Sequence, residues 1–424
     1  METRHFDKEL FMKNKKSSHL YIKPNPLTYG FVRSVSKFIS KFVYPVDLVR
    51  NELTGSSGRR VILANHEADI DFFSAYAAIP GRAHVVASQS IISTLPIAPL
   101  AAGCGVITKN QFQTSVTDLH KMKAVVDHEE PLLLYPSGLM TESGASTPIP
   151  TATGKVAKWF DADIYIAKIT GTYLMKPKWA SKKRRGKATL DIYKLATREE
   201  LAAMSDEDAE ALIEKHLSFD AYRNNERLKN PYKNGENMEG LENVLYKCPD
   251  CGADYSIGIK DGRSLICYKC GYTVSSDEYG MLYCENGQEP VYKYPTDWHS
   301  YIERSVFDEV RSNPDFLLEG RARIQKINEK RHRFVEVGEG CVSLDYDNFT
   351  IDGAIFGEPT HRRFRTDIFP ILPFRPGKYF EIQHGHEILR IIPEDPRQIM
   401  HWILVLKATY RLKHEQAAIS TANA

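Results

Sequence analysis

Apolar positions recur at helical spacing over residues 28–44, TYGFVRSVSKFISKFVY, where Phe31, Val35, Phe38, Ile39, Phe42 and Val43 fall on one face. Arg33, Lys37 and Lys41 repeat every four residues on another face, with no acidic residue between them. Such a basic amphipathic helix reads either as a membrane-surface anchor or as a helix packed on the core with a solvated basic face. Residues 1–27 precede it as a polar lead-in.

From residue 60 to about 195 the pattern changes. Short apolar runs at Val61–Ala64, Pro131–Tyr135, Ile164–Ile169 and Ala188–Tyr193 read as buried strands, and 71–79, 114–128 and 152–160 as helices. This alternation predicts an α/β layer structure, a mixed sheet flanked by helices. Residues 197–217 read as a helix that closes the domain, and 224–240, rich in Asn, Gly, Lys and Glu, as a linker. Residues 246–284 hold a compact cysteine module. A helix is expected at 296–312, followed by strand-like runs at Arg321–Asn328, Phe334–Val337, Cys341–Asp345, Tyr379–Gln383 and Glu387–Ile392. A last helix runs from Pro396 to about Lys413.

The chain has 424 residues, enough for two or three domains. Hydrophobic residues make up 42% and charged residues 26%, and the net charge of +2 singles out no class of partner. The charged N-terminus does not read as a secretory signal. Val85 to Thr108 carries no charged residue, yet Pro96, Pro99, Ser88, Gln89, Ser90, Ser93 and Thr94 make it a poor spanning helix. It reads instead as an interfacial or substrate-lining segment.

The segment VILANHEADIDFF sets Asn65 and His66 directly after an apolar strand and Asp71 five residues beyond His66. On a straight helix that step separates the side chains by about 140°. They meet if His66 sits in the strand-to-helix turn and Asp71 in the first helical turn. A neutral imidazole takes a proton from an alcohol near neutral pH, and a carboxylate on its other nitrogen fixes the tautomer and stabilises the imidazolium. The hydroxyl then attacks a thioester carbonyl with no serine or cysteine nucleophile. Spacing alone is weak evidence, because most such His–Asp pairs are accidental and a lone His is usually structural.

Ordered blocks around the pair carry more. NHEADID resembles the NH-x4-D motif of the glycerophospholipid (lysophosphatidate-type) acyltransferase family. GVITK (Gly105–Lys109) is similar to the second block, LLLYPSG (Leu132–Gly138) to a third block ending Phe-Pro-Glu-Gly, PTATGKVAKWF to the helix after it, DIYIAKITGTY to the fourth block and RRGKATLDI to the strand that follows. The resemblance spans about residues 28–195. It implies acyl transfer from an acyl thioester (acyl-CoA or acyl-carrier protein) to the hydroxyl of 1-acyl-glycerol-3-phosphate in phospholipid biosynthesis. His66 would be the base and Asp71 its orienter, with Asn65, Lys109, Ser137 and Gly138 on the substrate. The implied location is peripheral, on the cytoplasmic face of a membrane.

The departures concern the acceptor. Ser137 stands where the family has glutamate, Met140 where it has arginine, and Lys109 replaces an arginine without its bidentate fork. The fourth-block proline is absent, with Ala167 in its vicinity. The run KPKWASKKRRGK, Lys176 to Lys187, has seven basic residues and no acid, and reads either as a phosphate or membrane contact or as a solvated loop. Trp179 is its sole aromatic residue, and no nucleic-acid partner is expected.

CPDC (Cys248, Cys251) and CYKC (Cys267, Cys270) are separated by fifteen residues, inside the spacing of a four-cysteine zinc site. Four thiolates leave no open position, so the expected Zn2+ is structural, and the surrounding runs resemble a zinc ribbon. The C-terminal strands, closed by a helix with Ile399, Trp402, Ile403 and Leu406 on one face, are similar to a pleckstrin-homology-like barrel. HRRFR (His361–Arg365), with Phe369 and Phe374, is either a lipid contact or a solvated loop. The expected domains are 1–230, 241–290 and 291–424. Two other functions fit the residues: the same chemistry on a different lyso-lipid or alcohol, and a catalytically weak membrane scaffold or lipid sensor.

Overall fold

The computed structural model describes residues 20–94, 98–109, 114–234, 237–313, 315–328, 333–384 and 387–422. The first nineteen residues of the expected polar lead-in, and residues 95–97 of the uncharged segment, lie outside these. The chain divides into two compact units. The first comprises Met1–Leu139, Ser146–Thr170 and Ala188–Ser218, and the second Met140–Ala145, Gly171–Lys187 and Phe219–Ala424. Among the described residues no helix is long and apolar enough to cross a membrane.

The first unit is built on a seven-stranded mixed sheet. Its strands are β1 (Val46–Asn51), β2 (Arg60–Ala64), β3 (His84–Ser88), β4 (Ile107–Lys109), β5 (Leu132–Leu134), β6 (Asp163–Thr170) and β7 (Ala188–Ala196), in the order β1-β7-β6-β2-β5-β3-β4. β6, β2, β5, β3 and β4 run parallel, whereas β7 is antiparallel to β6 and parallel to β1. Central strands with both faces covered must be apolar throughout, and Val61, Ile62, Leu63, Leu132, Leu133, Ile164, Ile166 and Ala167 are all buried. Two apolar layers result, one gathering Leu119, Val125, Phe160 and Ile213, the other Tyr29, Ala75, Tyr76 and Ile169.

The helices of this unit are α1 (Pro26–Phe38), α2 (Asp71–Ala78), α3 (Gln89–Thr94), α4 (Ala98–Gly103), α5 (Val116–Asp127), α6 (Thr153–Trp159), α7 (Arg198–Ala203) and α8 (Asp206–Leu217). The helix expected over 197–217 is two. Thr197 and Ser205 each cap a fresh N-terminus by accepting a backbone N–H three residues on. α1 runs into a π-helical turn, Ile39–Val43, and is set inside out relative to an ordinary surface helix. Tyr29 and Ser36 are its buried residues. The Arg33 guanidinium donates to the carbonyls of Ala77, Ile79 and Gly81, at the end of α2, so it is no part of a solvated basic face. Phe31, Phe38 and Phe42 are instead 59%, 57% and 64% exposed.

The second unit departs from expectation at its start. Residues 224–240 are not a linker. α9 (Ala221–Leu228) occupies part of the stretch, Tyr232 and Met238 are buried, and Asn225 Nδ2 donates to the carbonyls of Asn230 and Tyr279. A four-stranded antiparallel sheet follows, β8 (Ile257–Lys260), β9 (Ser264–Cys267), β10 (Thr273–Ser276) and β11 (Leu282–Tyr283), ordered β11-β10-β9-β8.

After α10 (Pro295–Ser312) comes a seven-stranded antiparallel sheet. Its strands are β12 (Leu318–Asn328), β13 (Arg333–Leu344), β14 (Asn348–Ile355), β15 (Glu358–Arg365), β16 (Phe374–Arg375), β17 (Tyr379–His384) and β18 (Glu387–Pro393), in the order β15-β14-β13-β12-β18-β17-β16. The runs Phe334–Val337 and Cys341–Asp345 are parts of one strand, β13, joined through Gly338 and Gly340. HRRFR lies on β15, paired with β14, and is not a loop. Phe369 and Phe374 are buried, so neither is placed to touch a lipid surface. The closing helix α11 (Ile399–Ala422) runs beyond the expected Lys413. Trp402 is buried in it, 5.9 Å from the Phe349 ring and 6.1 Å from that of Phe380. In the basic run, Arg184 is buried, donates to Asn237 O and lies over Trp179, while the Lys178 ammonium sits above the Phe374 ring. Lys182, Lys183, Arg185 and Lys187 are exposed.

Candidate active site

β2 leaves the sheet at Ala64, and Asn65 fixes the departure. Its amide exchanges two 2.8 Å hydrogen bonds with the backbone of Ile169 on β6, Nδ2 donating to the carbonyl and Oδ1 accepting from the N–H. Asn65 is buried, and both ends of its amide are taken up by Ile169, so in this structure it anchors the turn.

The next residues wrap around one carboxylate. Asp71 is fully buried in the first turn of α2, and its Oδ2 accepts from Glu67 N at 2.6 Å and Ala68 N at 2.8 Å. The same oxygen is 3.0 Å from His66 Nδ1. A carboxylate facing Nδ1 makes that nitrogen the donor and leaves Nε2 as the basic one. The His66 side chain is 20% exposed, enough to be reached from solvent while its partner is not. Sequence placed His66 in the turn and Asp71 in the first helical turn, and the geometry agrees.

Parallel strands share one edge for their C-terminal ends, where such sheets bind ligands. His66 follows β2 there, the turn Tyr135–Gly138 follows β5, and Lys109 ends β4. Tyr135 is the residue that sequence reasoning left unremarked. Its ring centroid lies 4.5 Å from that of His66. Gly138 takes a positive φ of 67°, which glycine adopts without strain, and its N–H donates to Tyr135 O at 2.9 Å.

The expected acceptor contacts are less assembled. Ser137 Oγ donates to Leu139 O at 3.0 Å, closing its own turn. Lys109 Nζ donates to Thr114 Oγ1 at 2.9 Å; burial lowers its pKa and the charge of Asp118 opposes that shift. β4 stands three strands from β2, about 14 Å across the sheet. A neighbouring base, Lys168, donates to the carbonyls of His216 and Ser218 at the end of α8. Burial brings its pKa down to about 8, against the opposing charge of Glu67.

In the second unit the four predicted cysteines converge, with all their sulfurs within 4.8 Å of one another. Cys248 and Cys270 are 3.7 Å apart and Cys251 and Cys267 3.8 Å, close to the roughly 3.8 Å edge of a tetrahedron with 2.3 Å zinc–sulfur bonds. Gly252 and Gly271, each just after a second cysteine, have φ of 71° and 80° and donate back to the carbonyls of Cys248 and Cys267. These matched knuckles fit a metal ion. Cys104, Cys284 and Cys341 are free cysteines elsewhere.

The first unit is thus an α/β sheet whose strand ends hold a His–Asp pair suited to general-base chemistry. Residues 46–172 match the family model described as Acyltransferase, a span that contains His66, Asp71, Lys109 and the Tyr135–Gly138 turn. Among solved structures, the 1-acyl-sn-glycerophosphate (LPA) acyltransferase PlsC from Thermotoga maritima aligns over 54% of this chain and 88% of that one, at 13% identity. The TM-score is 0.40, too low to carry weight. No curated protein matches the chain.

Proposed function

We propose that the protein transfers a fatty acyl group from an acyl thioester to the hydroxyl of a lysophospholipid at a membrane surface, with 1-acyl-glycerol-3-phosphate as the first acceptor to test. One observation carries this reading: the His66–Asp71 contact lies inside the segment that matches the acyltransferase model. His66 Nε2 removes the acceptor's proton, and the oxygen attacks the thioester carbonyl. The tetrahedral intermediate then expels the thiolate, which the imidazolium protonates. Asp71 keeps the proton on Nδ1 and stabilises the imidazolium.

Membrane attachment is part of the proposal. Among the described residues, Leu27, Phe31, Val35, Phe38 and Phe42 on α1 and its π turn are exposed, with Lys37 and Lys41 exposed beside them. Leu48 and Val49 on the edge strand β1 are exposed as well. This supports peripheral binding, which we propose is on the cytoplasmic leaflet. We assign structural Zn2+ to the four cysteines, whose module matches a ribbon in having antiparallel strands around two knuckles. The antiparallel sheet closed by α11 supports the pleckstrin-homology-like reading of the C-terminal region.

A second acceptor class is favoured by a specific observation. Ser137 gives its hydroxyl proton to Leu139 O, and Lys109, with one of its three ammonium protons on Thr114, ends a strand about 14 Å across the sheet from β2, so these two do not converge on a phosphate beside His66. Purified protein supplied with acyl-CoA and with acyl-carrier protein, against lysophosphatidate and a panel of other lyso-lipids and alcohols, separates the two. Preference for lysophosphatidate supports the first acceptor, and preference for another alcohol the second. Lipid binding without turnover on any donor would reject transfer itself and leave a lipid-sensing scaffold.

A further inference from the structure

The turn after β5 carries a group that the proposed mechanism does not use. Tyr135 stands where the third block it resembles has phenylalanine, so its hydroxyl is the atom that distinguishes it. The residue as a whole is half-buried, but its hydroxyl oxygen is enclosed and has no hydrogen-bond partner among the described residues. Such a group is disfavoured on folding, since it gives up water and gains nothing in return. The ring packs on the His66 imidazole at 4.5 Å, with the planes tilted by 36°. Burial and the nearby charge of Asp71 hold the phenol well above its ordinary pKa, so it stays protonated and remains a donor.

We infer that Tyr135 is a positioning residue of the His66–Asp71 pair, its ring holding the imidazole in the plane set by Asp71. The ring restricts rotation of His66 about its Cβ–Cγ bond, keeping Nδ1 on Asp71 Oδ2 and Nε2 toward the acceptor. Its π face also lies against the imidazole when that becomes a cation, a favourable arrangement.

The inference rests on the acyl-transfer reading for its kinetics but not for its chemical test. Tyr135→Phe removes the hydroxyl alone, and Tyr135→Leu removes the ring. The first readout is the rate of His66 carbethoxylation by diethyl pyrocarbonate at one fixed pH, followed on its peptide by mass spectrometry. Tyr135→Phe keeps the ring and should leave that rate within about twofold, with a thermal midpoint equal to or above that of the natural chain, whereas Tyr135→Leu uncovers the imidazole and should raise the rate about threefold or more. Tyr135→Leu should lower kcat about tenfold with KM little changed. If Tyr135→Phe changes the rate as much as Tyr135→Leu does, or if Tyr135→Leu raises KM and leaves kcat intact, the positioning role is wrong. If the natural chain shows no transferase activity, the acyl-transfer reading fails while the carbethoxylation rates still decide the role of Tyr135.

Discussion

The turn that holds the proposed His66–Asp71 pair and the part of the same sheet edge expected to meet the acceptor are built differently. In the turn, one carboxylate oxygen gathers three N–H donors from residues within five positions of Asp71, and Asn65 ties the turn to β6. On the acceptor side, Ser137 and Lys109 come from different strand ends and each satisfies a neighbour of its own. The reacting group is preorganised before any substrate arrives. The residues expected to recognise the substrate are not, and they are also where the sequence departs from the resembled pattern. Base chemistry and acceptor recognition can therefore vary independently in such a fold.

The comparison breaks most visibly at Asp71. Asp71→Asn presents an amide to three N–H groups and frees the imidazole to adopt the wrong tautomer. We expect kcat to fall about 10³-fold or more in a steady-state transfer assay, with the melting midpoint lowered as well. The four-cysteine module should behave as a separate matter. Cys251→Ser should abolish bound zinc, measured by plasma mass spectrometry. It should lower the unfolding midpoint of the second unit by roughly 10 °C or more, while leaving the hydrogen bonds of the catalytic turn intact.

A third test concerns delivery to the membrane. Phe38→Glu should weaken partitioning onto anionic phospholipid vesicles about tenfold in a sedimentation assay, with little effect on transfer to a detergent-dispersed acceptor. The smallest effect is expected at Lys109. Lys109→Ala should change KM for a phosphate-bearing acceptor by about threefold or less, because the ammonium is held by Thr114. A change as large as that at Asp71 would erase the distinction between the two regions.

The same contrast explains what was legible in the sequence. The turn from β2 into α2 could be read because its contacts are short-range, and an apolar strand followed by His, Asp and a helix leaves few alternatives. The cysteine knuckles were readable for the same reason. What failed was longer in range. Hydrophobic periodicity on α1 grouped the right residues, but it does not say which side faces inward, and three carbonyls near the end of α2 took Arg33. β15 escaped notice because it is an edge strand with mostly exposed, charged side chains. The polar composition of 224–240 suggested a linker, although Asn225 and Tyr232 make it part of the folded unit. Tyr135 was passed over because only the fold brings it against His66.

The central claim is that the His66 imidazole is the base for acyl transfer. The most direct measurement compares the natural chain with His66→Ala for transfer of a radiolabelled acyl group from acyl-CoA to lysophosphatidate and the alternative acceptors, on vesicles. The account predicts measurable transfer by the natural chain, lost at least 10³-fold in the variant while vesicle binding is retained. Undiminished turnover by His66→Ala would contradict it.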